Sequence, residues 1–357
     1  MGASQYQIAL LKGDGIGPEV VDAARTVLQR ASLVHGITLH YQDFVAGAAH
    51  YQRTGESISA ASMEAIGSAD AILLGAMGLP NVRKPDGTEI APQIDIREHY
   101  DLFASLRPAK LFRGVPSPLR AGLVDMLVIR ETTEGLFAGR HDKLVPSDSS
   151  VSDRMTITRS TCEKLFELAF VQAQLRRRQG TPGHVTLLDK ANVLRSNAFM
   201  RKVFDEVASR HPDIGTDRVY IDAGAMMMVM NPDRFDVIVT ENVFGDIASE
   251  IAAGIVGGLG VAPSADVGTK HAVFQPCHGT APDIAGKGIA NPVATILSAA
   301  MMLEWLGERQ KDTYCLSAAE SIRAATARVL EDGPRTRDLG GTASSAEVTA
   351  AIVAAVS

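Results

Sequence analysis

Three arginines, three carboxylates and one lysine stand out by where they fall. Arg97 and Arg107 flank the stretch EHYDLFASL, and Arg130 ends the apolar run MLVI. A guanidinium grips a carboxylate through a planar two-point fork that an ammonium cannot imitate. Taken singly, Arg97 and Arg107 also suit a solvated surface. An arginine closing a buried strand fits a surface less well, so Arg130 points to function. Asp222 follows the run RVYI, Asp246 follows Asn242-Val243-Phe244-Gly245, and Glu250 comes four residues later. At the start of a helix that spacing puts Asp246 and Glu250 on one face. Carboxylates without sulfur or imidazole beside them suit a hard cation such as Mg²⁺ or Mn²⁺. The same pair would serve equally as acids complementing a helix dipole. Lys190, in LDKANV at another strand end, could shuttle a proton or position a water, or simply be solvated.

Two glycine-rich stretches accompany these groups. Gly13-Asp14-Gly15-Ile16-Gly17-Pro18 lies between an apolar strand and a helix, where backbone can approach an anion closely. It departs from the G-x-G-x-x-G dinucleotide pattern at Pro18, and it serves equally as a tight structural turn. The second stretch runs from His278 through Gly279, Thr280, Ala281, Pro282, Asp283 and Ile284 to Asn291-Pro292. An acid in a nucleotide loop can accept from both ribose hydroxyls and would repel a 2′-phosphate. This stretch is the most specific signal in the chain.

Such groups need elements to hold them. Short runs rich in Leu or β-branched residues predict strands at Gln7–Leu11, Ala71–Leu74, Met126–Arg130, His184–Leu188, Arg218–Ile221 and Phe235–Thr240. Between them lie the predicted helices Pro18–Ser32, Thr161–Arg178 and Ala294–Leu306. Pro18 suits a first turn, and Ser160 with Glu163 predicts a capping box for the second helix. Alternation of this kind predicts an α/β fold. The strand Phe235–Thr240 would set the acidic pair at a C-terminal strand end, where open α/β sheets bind ligands. The Met226–Met228 run with Met230 reads as core filler.

Composition narrows the classes. The chain has 357 residues, 46% hydrophobic and 21% charged, which suits one large core or two lobes sharing a sheet. A net charge of −6 argues against a non-specific nucleic-acid binder and leaves room for a local cationic pocket. Cys162, Cys277 and Cys315 are too few and too scattered for a disulfide framework or a thiolate zinc site. There is no signal-peptide pattern, and no apolar run near the ~20 residues of a membrane span. A reducing cytoplasm is the expected compartment.

The motifs GDGIGPEV, LLGAMGLP, DLFASLRPAK, VIRETTEG, LDKANVL, VTENVFGDI and HGTAPDIAGKGIANP, in this order, resemble the β-decarboxylating dehydrogenases nearly end to end. That family includes 3-isopropylmalate, isocitrate, homoisocitrate and tartrate/D-malate dehydrogenases, and the chain is nearest in type to the isopropylmalate branch. The resemblance implies a two-domain α/β fold distinct from the Rossmann fold, with a large central mixed sheet flanked by helices. A first, NAD-binding domain of residues 1–102 and 257–357 would adjoin a second domain, 103–256, carrying the substrate and metal residues and the dimer interface. It also implies a homodimer with shared active sites. Arg97, Arg107 and Arg130 would hold substrate carboxylates, and Asp246 and Glu250 would bind Mg²⁺ or Mn²⁺ together with Asp222. Lys190 and Asp222 would act in catalysis from across the interface. His278 and Asn291 would contact adenine and Asp283 the ribose, within a cofactor loop that includes Gly279, Thr280, Ala281 and Ile284. NADP-using relatives carry Lys-Tyr where this chain has Asp283-Ile284, so the implied cofactor is NAD.

Two departures matter. The family's tyrosine in the Arg130 motif, read as the acid that protonates C3 after decarboxylation, is here Phe137, and the third metal carboxylate is Glu250 where aspartate is usual. Slower decarboxylation, or release of the keto acid, is the expected consequence. For the substrate, Ala91 stands where the isocitrate enzymes have serine. Gln93-Ile94 replaces the paired leucines expected around an isopropyl group, so the pocket would be half apolar. An apolar wall is worth ~1–3 kcal/mol to a branched alkyl group. A 3-alkylmalate such as 3-isopropylmalate ranks first, with D-malate or tartrate next. A non-catalytic binding paralogue is the reading from another class. It conflicts with the retention of the arginines, Lys190, Asp222, Asp246 and the Asp283 loop.

Overall fold

The structure, a computed structural model, describes residues 4–119, 124–140 and 149–357. In chain order the strands are β1 (Gln5–Leu11), β2 (Thr38–Phe44), β3 (Ala71–Leu74), β4 (Ala104–Lys110), β5 (Asp125–Glu131), β6 (His184–Asp189), β7 (Gly215–Tyr220), β8 (Val237–Thr240), β9 (Pro263–Val267) and β10 (Ala272–Pro276). The α-helices are α1 (Gly17–His35), α2 (Ala48–Thr54), α3 (Ala60–Ile66), α4 (Pro92–His99), α5 (Arg159–Arg178), α6 (Arg195–Ala208), α7 (Ile221–Met230), α8 (Asn242–Ile255), α9 (Val293–Gln310), α10 (Thr313–Asp332) and α11 (Ser345–Ala355). They form two compact units. The first comprises Met1–Tyr100, Leu111–Pro118 and Val256–Ser357, and the second Asp101–Lys110 and Leu119–Ile255.

In the first unit the strand order is β2-β1-β3-β10-β9, parallel except where β9 runs against β10. All four residues of β3 are buried, as a continuous apolar run predicts for a strand covered on both faces. Helix α9 packs on β9 and β10 and is in turn covered by α1 and α10. Its Ile296, Met302, Leu303 and Leu306 are almost wholly buried. Each such side chain contributes roughly 1.5–3 kcal/mol relative to exposure.

The second unit has the order β4-β5-β8-β6-β7, with β4 antiparallel to β5 and the other pairs parallel. Its register positions the chemistry. Arg130 lies beside Thr240, Thr240 beside Leu188, and Asp189 beside Tyr220. Four parallel strands therefore end level, and the residues that follow them emerge along one edge of the sheet.

All six predicted strands are present, and Ala71–Leu74 matches to the residue. The other strands shift at one or both ends: three gain residues, Ile221 opens α7 instead of closing a longer β7, and β8 opens at Val237 because Phe235 follows a 3₁₀ turn. Strands β2, β4, β9 and β10 were not anticipated. Polar residues dominate β2, Arg107 and Pro108 interrupt β4, and β9 and β10 are short with a proline at one end. The capping box at Ser160 is corrected. Helix α5 begins earlier because the Thr158 side chain accepts from the Thr161 N–H, while Glu163 lies by Arg159 one turn back. The methionine reading is corrected in part: Met228 is buried, but Met226 and Met230 are exposed on α7.

The Gly13–Pro18 turn resolves into a structural device. Gly13 and Gly15 have φ of 73° and 57°, and a Cβ on either would lie within 2.2 Å of a backbone oxygen, that of Ala76 or Thr280. Between them the buried Asp14 carboxylate accepts from the N–H groups of Ala48 at 2.7 Å, Ala49 at 2.9 Å and Gly78 at 2.9 Å. Asp14 thus caps α2 and ties it to the turn after β3. Replacing Asp14 by Ala leaves these donors unpaired and is expected to lower stability by about 3 kcal/mol. Denaturant unfolding checks this, and a loss under about 1 kcal/mol would mean that water or a rearranged turn satisfies the donors.

Candidate active site

Strand β5 delivers Arg130 at its C-terminal end, 2% exposed. The guanidinium donates from Nε and Nη2 to Asn242 Oδ1 at 3.0 and 2.8 Å, and from Nη1 to Asp246 Oδ1. Helix α8 comes this close because residue 245 is glycine: a Cβ there would lie 2.6 Å from the Arg130 Cβ. Arg107, from β4, is 8% exposed; its Nη1 donates to Ser249 Oγ at 2.8 Å and lies 3.4 Å from Asp246 Oδ1. One carboxylate is therefore shared by two buried guanidiniums. Glu250 sits one turn beyond Asp246, within electrostatic reach of the same three charges. Partial desolvation raises its pKa; Asp246 reinforces the shift, and Arg107 and Arg130 oppose it. The first turn of α8 holds no acid, so the helix-dipole explanation of this pair falls away.

The Phe137 ring centroid lies 5.6 Å from Arg130 Cζ, a cation–π contact that covers the guanidinium with carbon.

Arg97, on α4 in the first unit, is also buried, at 6% exposure. Its Nε donates to Asp266 Oδ2 at 2.8 Å, an oxygen that also accepts from Gln275 Nε2 at 2.6 Å. None of the three arginines is the solvated surface charge that Arg97 and Arg107 suggested singly.

Lys190 and Asp222 form a separate pair. Lys190 follows β6, its N–H donates to Asn197 Oδ1 at 2.9 Å, and its Nζ donates to Asp222 Oδ1 at 2.6 Å. Asp222 is in the first turn of α7, and the lysine holds its carboxyl below the usual range. Behind them Arg201 clamps the buried Asp189 with two bonds of 2.7 Å. Among the described residues no three His, Cys, Asp or Glu side chains converge on a point that could hold a metal. The single chain thus brings Asp246 and Glu250 together and leaves Asp222 apart.

The loop from His278 to Asn291 belongs to the first unit. The His278 Nδ1 lies 2.9 Å from the Gly279 carbonyl, and burial lowers the ring's pKa, favouring the neutral form. Its Nε2 is buried with no hydrogen-bond partner among the described residues. Ala281 takes the left-handed conformation at φ 38°, a strained value for a residue with a Cβ. Asp283 lies on the exposed stretch that follows, Thr280 is buried, and Ile284 packs on Ile16, Val20 and Ala290. The Asn291 amide donates to Asp338 Oδ2 at 2.9 Å and accepts from the Val293 N–H at 3.1 Å.

Known proteins are similar to this chain in sequence and fold. The family model described as isocitrate/isopropylmalate dehydrogenase matches residues 7–356. The chain belongs to that family. It is 43% identical to an isocitrate/homoisocitrate dehydrogenase of Thermus thermophilus, over 98% of each chain. It is 41% identical to a 3-isopropylmalate/3-methylmalate dehydrogenase of Methanocaldococcus jannaschii, over 94% of each. A crystal structure of isocitrate dehydrogenase from Methylococcus capsulatus superposes with a TM-score of 0.85 at 36% identity, covering 98% of this chain and 99% of that one. The protein is accordingly a dehydrogenase with this family's α/β fold.

Several residues that brace this dehydrogenase's site went unremarked in the sequence. Asn242 and Ser249 share a face of α8 with Asp246, a stripe that helical spacing could have revealed. Asp266 and Asp338 carry no local signal. Glu131, next to Arg130, is 5% exposed, and its carboxylate accepts from the N–H groups of Thr133 at 2.6 Å and Glu134 at 2.9 Å. Burial nevertheless pushes its pKa up to about 7. Between the ordinary carboxyl range and about 7 the folded protein therefore holds a proton that the unfolded chain has lost. Stability falls as the pH rises through that window. Glu131→Gln is expected to flatten the slope, as measured by denaturant unfolding from pH 4.5 to 8; an unchanged slope would place the titration elsewhere.

Proposed function

We propose that this dehydrogenase oxidises the 2-hydroxyl of a 3-substituted (R)-malate with NAD and Mg²⁺ or Mn²⁺, then releases the β-carboxylate as CO₂, and that 3-isopropylmalate is its substrate. The observation that carries this reading is the sharing of Asp246 by buried Arg107 and Arg130, with Glu250 one turn on. Two cationic and two anionic side chains nominally cancel. A dicarboxylate arriving alone would add two uncompensated negative charges to a low-dielectric site, and a divalent cation cancels them. The donors fit such an ion: oxygen ligands only, on one helix face. When bound, the cation supplies Lewis acidity toward the 2-oxygen of the substrate.

The chain's own residues do the rest. Arg97, Arg107 and Arg130 bind and orient the carboxylates; their anchors, Asp266, Ser249 and Asn242, fix each fork before substrate arrives. Lys190 relays the hydroxyl proton: its ammonium gives a proton to water as the resulting amine takes that of the 2-hydroxyl, with Asp222 holding its Nζ. We assign Lys190 and Asp222 to the site of a second copy of the chain. That Asp222 does not join Asp246 and Glu250 in a three-carboxylate cluster among the described residues of one chain supports this, as do Met226, Val229, Met230 and Ile247, large apolar side chains exposed on α7 and α8. The first unit takes the cofactor through the His278–Asn291 loop, where an exposed Asp283 would repel a 2′-phosphate. Three free cysteines fit a cytoplasmic setting. No described helix is long and apolar enough to cross a membrane.

One observation favours a second substrate. The Gln93 Oε1 is buried and has no hydrogen-bond partner among the described residues. An unpaired buried acceptor costs ~1–3 kcal/mol, which a donor on C3 of the substrate would recover. A 3-hydroxyl, as in tartrate, supplies that donor and an isopropyl group does not.

NADH formation with Mn²⁺ on 3-isopropylmalate, 3-methylmalate, D-malate, tartrate, isocitrate and homoisocitrate separates these readings. The highest kcat/KM is expected on 3-isopropylmalate; tartrate in first place would hand the pocket to Gln93. Chelation should abolish turnover, and Asp246→Asn should lower kcat/KM on the order of a hundredfold or more. Full activity in chelator would exclude the metal role. With Phe137 over Arg130, CO₂ release is expected to lag NADH formation, and Phe137→Tyr should bring the two rates together. Equal rates in the unaltered enzyme would show that another group protonates C3.

A further inference from the structure

The loop His278–Asn291 has little regular structure of its own, so its shape depends on what holds its ends. At the entrance the Thr280 carbonyl accepts from the Ile16 N–H at 2.9 Å. At the exit three separate elements converge. From α1, Glu19 Oε1 accepts from the Ala290 N–H at 3.0 Å. From the first turn of α11, the Ser345 hydroxyl lies against both Glu19 and the Ala290 carbonyl, and its N–H donates to the Gly288 carbonyl at 3.0 Å. From the short 3₁₀ turn Arg337–Leu339, Asp338 Oδ2 accepts from Asn291 Nδ2 at 2.9 Å while its Oδ1 accepts from Thr336 Oγ1 at 2.5 Å.

The Asp338 contact differs in kind from the others. Glu19 and Ser345 hold backbone, whereas Asp338 holds a side chain. By taking one Asn291 N–H it fixes which way the amide faces: Oδ1 toward the Val293 N–H at the start of α9, and the second N–H with no acceptor among the described residues. Its negative charge also acts on His278, so one carboxylate bears on both residues assigned to adenine. Space has been kept for it. A Cβ on Gly260 would lie 2.4 Å from Asp338 Oδ2 and 2.9 Å from Asn291 Nδ2.

We propose that Asp338 is the positioning residue of the cofactor site, locking the Asn291 amide in the one orientation that presents a donor to the adenine ring, so that cofactor affinity depends on a residue that need not touch the cofactor. This rests on the reading of the His278–Asn291 loop as the NAD site.

The test is steady-state kinetics on the full-length, metal-loaded enzyme, with NAD binding by calorimetry. Asp338→Ala is expected to raise the KM and Kd for NAD about tenfold, the order of one lost charge-assisted hydrogen bond. The hydroxy-acid KM and kcat should stay within about twofold by the same reasoning. Asp338→Asn keeps the size and can still accept from one of the two donors, so it should fall between. Gly260→Ala pushes a methyl group into the same pair and should give the same NAD-selective signature with the carboxylate in place. A folded Asp338→Ala enzyme with unchanged NAD affinity, or with equal losses toward both substrates, would overturn the proposal. Asp283→Ala tells the two failures apart. Weakened NAD binding there, with none in Asp338→Ala, removes the role of Asp338 alone; no effect in either removes the loop reading and Asp338 with it.

Discussion

A guanidinium taken out of water must find its charge and its hydrogen bonds inside the protein, at a desolvation cost of several kcal/mol. Arg130, at 2% exposure, is where this dehydrogenase meets that constraint, and much of the second unit follows from it. Asp246 has to stand beside it, so α8 must cross β5 at close range, so residue 245 must lack a side chain. Asn242 takes the remaining face of the fork, and its amide ties the arrangement to the Glu134 carbonyl at 3.0 Å. Arg107 arrives on the antiparallel neighbour of β5 and shares the same carboxylate. Loss of Asp246 or of either arginine leaves a charge uncompensated, and loss of Asn242 leaves two guanidinium donors unpaired.

The two units solve the same problem by different means. In the second, strand register does the positioning: β5, β8, β6 and β7 end level, so Arg130, Asn242, Lys190 and Asp222 all emerge from rigid strand ends. In the first, the loop His278–Asn291, to which the proposed reading gives the cofactor, has no strand register to rely on. Its middle, from Ala281 to Lys287, is largely exposed, and its two ends are pinned by α1, α11 and the Asp338 turn. Strain at Ala281 is held between those pins. A rigid edge suits groups that must meet reacting atoms within tenths of an ångström. A loop with fixed ends and an open middle suits a cofactor that must enter and leave.

What could be read from the sequence follows from this division. Apolar runs such as AILL at β3 announced themselves because burial on both faces leaves an unbroken pattern. The arginines, the α8 acids, Lys190 and the loop were legible as residue types at strand or helix ends. Strands β2, β4, β9 and β10 were not, since polar residues and prolines interrupt their patterns, and β4 carries Arg107 itself. The bracing residues were the least legible. Asp266 lies 169 positions from Arg97 and Asp338 lies 47 from Asn291, pairings that only the folded chain reveals. The exposed methionines of α7 show the reverse error. Residue type alone cannot distinguish a surface buried by folding from one exposed in the single chain.

The position of the Lys190–Asp222 pair bears on how the site would be assembled. Within one chain the two side chains neutralise each other, and Asp222 stays ionised because Lys190 is bonded to it. The group around Asp246 is nominally neutral as well. On the proposed reading, association would add one balanced set of charges to another, so no net charge would be forced into the interface. The apolar side chains of α7 and α8 could then supply the association energy by being covered. The third carboxylate and the base would arrive together, already aligned by a 2.6 Å bond, and a monomer would keep its metal ligands divided between two sites. Dimerisation would then act as the switch that completes the chemistry, because among the described residues of one copy no three metal-binding side chains meet in one place.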